Sequence, residues 1–234
     1  IASDSPSDYR AIMEILCAYV RRNAPTPAEL FADSLIRVLE EDNLSELRDE
    51  VQRRLSSISE SHFLPSVDVQ AVLSVFGRRT TSQLAIEESI DYRLDLAGCN
   101  LRGLNLKGAC LERVNLEGAF LEGAVLDRTR LGSAILREAK LQGSSLVRVE
   151  MANAKLDGAV LHGANLTRAI LGDSLARGAL YSSASLADAE LQCATLRQAR
   201  MEETELQRAQ MQCADLENAI LHHADLCDAN MRGA

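Results

Sequence analysis

The residues of this chain best equipped for chemistry lie close to its C-terminus. The stretch "LHHADLCD" groups His222, His223, Cys227 and Asp228, with Cys213 a little upstream. Imidazole, thiolate and carboxylate are zinc ligands, but zinc needs four of them converging tetrahedrally. A second candidate is "LAGCNLRGLNLKG", where Gly98, Gly103 and Gly108 imitate a phosphate-cradling loop. It lacks the GK[ST] ending and the following helix that such a loop requires. Cys193 and Cys213 form a third candidate, a thiol pair twenty residues apart. The four histidines bring no Ser/His/Asp or Cys/His set with them. Whether any of these groups converge depends on the elements that carry them.

Those elements have an unusual period. "ANLTRAILGD", residues 164–173, is two five-residue units end to end, and Leu or a stand-in recurs at every fifth position from Leu96 to Met231. Leu96, Leu116, Leu136, Leu156, Leu166, Leu186 and Leu206 are among these centres; Ala176 and Tyr181 are the two that are neither Leu nor Met. Two residues before each centre sits a small or apolar residue, most often Ala, and none of these positions is charged. Residues five apart point about 140° away from each other on a helix and to opposite faces of a strand. A chain that buries both sets must therefore turn a corner in every unit, with Leu filling the centre and Ala where walls converge. Such a unit cannot bury its face alone, so the units stack into a solenoid. Ten glycines, Gly98 to Gly233, fall two residues after a centre, where the turn is expected. On this frame His222, His223, Cys227 and Asp228 project outward from different walls, which argues against a metal site.

"ANLTR", "ADLEN" (214–218) and "ADLCD" (224–228) resemble the A(D/N)LXX consensus of the pentapeptide repeat family, over residues 94–234 without a break in register. The resemblance implies an all-β solenoid, a right-handed quadrilateral β-helix of about seven coils, with an N-terminal α-helical domain added. With strands stacking about 4.8 Å apart, the rod is roughly 34 Å long.

Composition agrees. The chain has 234 residues, no Trp and 3% aromatics, natural for a Leu/Ala interior. Six cysteines without CxxC pairing point to a reducing compartment. No apolar run reaches the roughly 18 residues of a membrane span, and no signal peptide is evident. The first residue is Ile, so a fragment of something longer is expected. The net charge is −9, but residues 91–234 carry 19 acids against 16 bases, and the acids concentrate in residues 201–234.

Residues 1–79 read as helical and residues 80–93 as a connector to the repeats at 94–234. The first helix is capped by Ser7 or Asp8 and faces inward with Ile12, Ile15, Leu16, Tyr19 and Val20. Further helices are expected at about 27–41, with Phe31, Leu35, Val38 and Leu39 inward, and at about 42–58. A last one follows Pro65, using Val69, Val72, Leu73 and Phe76 and stopping at Gly77. "IASDSPSDYRAIMEILCAYVRRNAP" and "DVQAVLSVFGRR" resemble the segment before the repeats in a bacterial, often membrane-tethered subgroup of the family. That resemblance implies a cytoplasmic chain or the cytosolic part of a longer tethered protein, with the helices at 27–58 an insert.

The four units per coil that the resemblance implies put residues twenty apart on neighbouring coils. Cys193 and Cys213 then stack about 5 Å apart with parallel side chains, the wrong geometry for a disulfide, and the surface is legible in columns of period twenty. Glu117, Arg137, Asp157, Arg177, Arg197 and Glu217 read as a ladder of opposite charges. Arg128, Arg148 and Arg168, followed by Asp188 and Arg208, stack like charges; they are either a contact for an anionic partner or a solvated face offset by acids such as Asp127. Phe120, Val160, Leu180 and Ile220, interspersed with Lys140 and Arg200, form an apolar strip with Ile135 and Leu175 one wall over. It is either a docking strip or the resting place of the helical domain.

At Ala176 and Tyr181 the register is expected to hold, Tyr181 partly filling what Ala176 leaves empty; the alternative is a slip that buries Leu175 and Leu180. The last coil has no cap, so either the chain continues or two copies stack there as an end-to-end homodimer. The functional expectation is a non-catalytic protein–protein interaction scaffold with a protein partner, no cofactor, no metal and no direct nucleic acid. The alternative, implied by the family resemblance, is a DNA mimic that regulates or protects DNA gyrase. A mimic needs acid along the rod to replace phosphates, and the arginine column works against it.

Overall fold

The computed structural model describes residues 6–24 and 67–234. The helices expected at about 27–41 and 42–58 lie outside these residues, as do the side chains of Ser7, Asp8 and Ile12. Three helices are described: α1 (Pro6–Asn23), α2 (Val67–Phe76) and α3 (Thr81–Ser89). α3 occupies the stretch read as a connector. Its start is a capping box: the Thr80 hydroxyl accepts from the Gln83 N–H, and the Gln83 side chain accepts from the Thr80 N–H.

From Asp95 onward the chain repeats one unit. Each parallel bridge joins residue n to residue n+20, from Asp95–Asn115 to Gln210–Asn230, so four five-residue units complete one circuit. A single residue per wall pairs with its neighbour before the chain turns. The turn is closed by the N–H two residues before the next centre donating to the carbonyl of the last one, as in Ala169 to Leu166 at 2.9 Å. Every corner residue from position 98 to position 233 has positive φ. Glycine takes it freely at ten corners, but Arg128 (φ 57°), Arg148 (57°) and Arg168 (59°) take it too. For a residue with a Cβ that conformation costs about 1–2 kcal/mol. The turn geometry is therefore set by the stacking, and glycine follows it without being required.

The interior is the expected double row. Leu96, Leu116, Leu136, Leu156, Leu166, Leu186 and Leu206 are all inaccessible to solvent, or nearly so. The register holds at the irregular pair: Ala176 and Tyr181 are both fully buried, while Leu175 and Leu180 are half-buried and make bridges on the walls. The Tyr181 hydroxyl has no hydrogen-bond partner, and burial pushes its pKa up. Thr129 and Thr204 donate to interior carbonyls of Leu106 and Tyr181; the Ser174 hydroxyl has no partner.

The helices close the first circuit. There the N–H groups of Asn100, Asn105 and Cys110 point to where an earlier coil would lie. They are satisfied instead by the Ala24 carbonyl (3.0 Å), the Gln70 side-chain oxygen (2.9 Å) and the Gly77 carbonyl (2.8 Å). A Cβ on Gly77 would stand 2.8 Å from that of Ala109, so this approach requires glycine. Arg21 ties α1 to the Asp95 carboxylate at 2.8 Å.

One face differs from expectation. α1 buries Val20 as read, with Leu16 packed at the edge, but also Met13 and Cys17, with Ala24 just beyond its end, while Ile15 is 69% exposed and Tyr19 38%. α2 buries Val69, Leu73 and Phe76 as read, with Val72 packed at the edge.

At the other end no described residue covers the last circuit. Leu216, Leu221, Leu226 and Met231 are only partly buried. The N–H groups of Leu216, Leu221 and Leu226 find no backbone acceptor among the described residues, whereas Leu196 donates to Asp215.

Candidate functional site

The corner column of Arg128, Arg148 and Arg168 lines an open groove of about 340 Å³, with Lys107 at one end, Val147 and Thr167 along its side and Asp188 at the other end. Their neighbours set the electrostatics. Asp188 accepts two hydrogen bonds from Arg208, at 2.7 and 2.6 Å, and stands 3.7 Å from Arg168. These arginines, Arg208 first, hold the Asp188 carboxyl below the usual range. Arg208 is therefore engaged by Asp188.

Asp127 was the acid available to offset the column. Its carboxylate accepts from the Ser145 hydroxyl and the Val147 N–H, and Asp127 itself lines the groove beside the arginines. No carboxylate lies within ion-pair distance of Arg128 or Arg148 among the described residues, although both are exposed. Elsewhere on the rod Arg102, Arg113, Arg130, Arg137, Arg177, Arg197 and Arg200 each have such a partner.

The alternating column is a ladder, as its charges predict. Asp157 bridges Arg137 at 3.5 Å and Arg177 at 3.0 Å, and Arg197 reaches Glu217 at 2.6 Å. Burial alone would raise the Asp157 pKa, but the hydrogen bonds from Arg177 and the charge of Arg137 bring it below the ordinary value.

The apolar strip is interrupted. Phe120 is half-buried beneath the Arg102 guanidinium, 4.4 Å from its ring. Val160 and Leu180 sit on adjacent rungs, both half-buried, and Ile220 is 37% exposed at the uncovered end. The described helices do not rest on this strip; they dock on the first circuit through Gln70, Gly77 and Arg79. Sequence reading did not single out Gln70 or Arg79, and their spacing carries no periodic signal.

His222, His223, Cys227 and Asp228 are exposed, and among the described residues no group of three or more His, Cys, Asp or Glu is disposed to hold a metal. Cys193 and Cys213 are free thiols; desolvation, then the neighbouring Cys213, pushes the Cys193 pKa up. No described helix is long and apolar enough to cross a membrane.

The model of the family "Pentapeptide repeats" matches in 8 copies, over residues 93–118, 111–143, 134–173 and 209–234. No curated protein matches the chain. Similar solved structures include the pentapeptide repeat protein Rfr23 from the cyanobacterium Cyanothece 51142, at 24% identity and a TM-score of 0.25. That alignment covers 42% of this chain and 63% of Rfr23, less than two thirds of its length. HetL, a pentapeptide repeat protein involved in heterocyst differentiation regulation from the cyanobacterium Nostoc sp. strain PCC 7120, is 25% identical with a TM-score of 0.25, over 66% of this chain and 98% of HetL. Full-length QnrB1, a plasmid-mediated fluoroquinolone resistance protein, is 13% identical with a TM-score of 0.31, over 57% and 78%.

Proposed function

With a repeat region that belongs to the pentapeptide repeat family, we propose that this protein is a non-catalytic scaffold that binds another protein through the outside of its rod. The rod is taken as a right-handed quadrilateral of about seven coils, acting in the cytoplasm or on the cytosolic side of a tethered protein. One observation carries the reading. Arg128 and Arg148 stand on adjacent rungs without a carboxylate, on a rod whose other arginines are mostly paired. Like charges on neighbouring strands repel, and a partner bringing negative charge relieves that cost. The interior is mostly Leu and Ala, and its few hydroxyls, on Thr129, Ser144, Ser174, Thr204 and Tyr181, are sealed from solvent.

The test is capture of the native partner from the host with the intact protein and with Arg128→Glu, Arg148→Glu, Arg168→Glu combined. The variant is expected to keep its thermal midpoint and lose the partner; unchanged capture overturns the role of this edge. The alternative, implied by the family resemblance, is protection or regulation of DNA gyrase through mimicry of DNA. Near balance of charge in the repeats and a basic groove speak against DNA mimicry. Inhibition of gyrase supercoiling at near-stoichiometric amounts would replace the scaffold reading with that one.

A further inference from the structure

We propose that the arginine edge is a groove for a short acidic segment of polypeptide, held extended along the rod axis; this rests on the reading of the rod as a protein-binding scaffold. The groove is built to a finite length. Arg128, Arg148 and Arg168 occupy three successive rungs, spaced about 4.8 Å apart as stacked strands are, so the cations span roughly 10 Å. An extended chain advances about 3.3 Å per residue and repeats its side chains on one face about every 6.6 Å. Two carboxylates at alternate positions therefore fall among the three guanidiniums, within the reach of arginine's long side chain. Guanidinium offers a planar fork of donors matched to carboxylate. The residue between the acids turns away from the rod, and the segment's flank meets Val147 and Thr167.

Both local acids are already committed. Asp127 is bonded to Ser145 and Val147, and Asp188 is held by Arg208. Neither lies within ion-pair distance of Arg128 or Arg148, and the four cations Lys107, Arg128, Arg148 and Arg168 outnumber these two carboxylates in the lining, a net positive groove that a carboxylate-bearing ligand complements. The boundaries favour peptide over nucleic acid. Past Asp188 the rod turns acidic: residues 201–234 carry seven acids and two bases. A phosphate backbone following the groove would run into that surface, and three or four cations offer it few contacts. A short acidic segment ends where the cations end.

The backbone supplies a clean variant. Arg128 and Arg148 sit at positive φ, where ten other corners of the same rod carry glycine. Arg128→Gly with Arg148→Gly therefore removes both charges while relieving backbone strain, and a thermal melt should show a fold at least as stable. The probe is a fluorescent peptide of alternating Asp and Gly, compared with its Asn counterpart and with a single-stranded oligonucleotide, read by anisotropy on the intact protein. The acidic peptide is expected to bind, weakening with salt, and the double glycine variant to lose roughly tenfold or more of its affinity. Lys140→Gln with Lys155→Gln, which removes the same charge outside the groove, should leave binding within about twofold, as rim charges distant from a contact do.

The proposal is overturned if the Asn peptide binds equally, if the oligonucleotide binds as tightly, or if inorganic phosphate displaces the peptide at comparable concentration. An equal loss in the lysine control overturns it as well. Failure of the acidic peptide, with native partner capture still dependent on the arginines, overturns this inference alone. Partner capture that ignores every change on the outer face overturns the scaffold reading itself.

Discussion

Arg79 and Glu87 form an ion pair at 2.6 Å with both side chains withdrawn from solvent, and the same guanidinium donates to the Cys110 and Glu112 carbonyls of the first circuit. One arginine thus joins α3 to the edge of the solenoid. Removing one member of a buried pair strands the other's charge, at a cost of about 3–5 kcal/mol. Glu87→Ala is expected to lower stability by about that amount, while Arg79→Met combined with Glu87→Leu should cost less than the sum of the singles. Urea unfolding followed by circular dichroism measures both; a Glu87→Ala cost under about 1 kcal/mol would mean that water reaches the pair.

Ala176 and Tyr181 are neighbouring centres of one circuit, both sealed from solvent. Ala176→Leu alone should overpack against the ring and destabilise by about 1–3 kcal/mol. Tyr181→Leu alone loses ring volume but also discards a hydroxyl without a partner. The double variant restores two leucines, and the cycle should show favourable coupling of about 1 kcal/mol or more. Simple additivity would mean that Tyr181 does not compensate for the small neighbour.

Acid should loosen the rod through Glu202. Its carboxylate takes hydrogen bonds from Arg200, at 3.0 and 2.8 Å, and from Ser182 at 2.7 Å. These hold its pKa at about 2, below the ordinary 4.5. A depressed acid contributes stability that is fully present above the unfolded value and is lost as pH falls through the folded one. The advantage of the wild-type protein over Glu202→Gln in thermal midpoint is therefore expected to hold above about pH 4.5 and to vanish by about pH 2. An advantage independent of pH would assign it to packing.

The edge of the last described circuit is expected to be covered either by further chain or, where residue 234 is the last, by a second copy. Leu216, Leu221, Leu226 and Met231 present a half-buried apolar layer ringed by N–H groups that have no backbone acceptor. Sedimentation should show concentration-dependent dimers, abolished by Leu221→Glu with Leu226→Glu. A monomer at all concentrations would rule out the end-to-end assembly.

The circuit itself was legible because its signal is repeated. Each position of the unit recurs so many times that one exception, such as Ala176 or Tyr181, cannot shift the register; a slip would expose every following leucine. The charge ladder through Asp157 was legible for the same reason, since residues twenty apart become neighbours once the circuit is known. The face of α1 was not. Val20 and Leu16 face inward as read, but the helix is rotated so that Met13 and Cys17 are buried while Ile15 and Tyr19 are exposed, a rotation set by the single contact with the first coil.

The arginine column shows where sequence stops and tertiary structure begins. The five-residue period together with the four units per coil that the family resemblance implies places Arg128, Arg148 and Arg168 in one line, and the bridges between residues twenty apart bear this out. Which of them is free depends on where Asp127 and Asp188 turn their carboxylates, and that is decided by hydrogen bonds to Ser145, Val147 and Arg208. The cap is a similar case. Periodicity says that the first coil has an open edge, but the acceptors that close it come from Ala24, Gln70 and Gly77, residues brought together only by the packing of the helices. A repeat encodes its own neighbours by their spacing, whereas contacts made once, between unlike elements, leave no period in the chain.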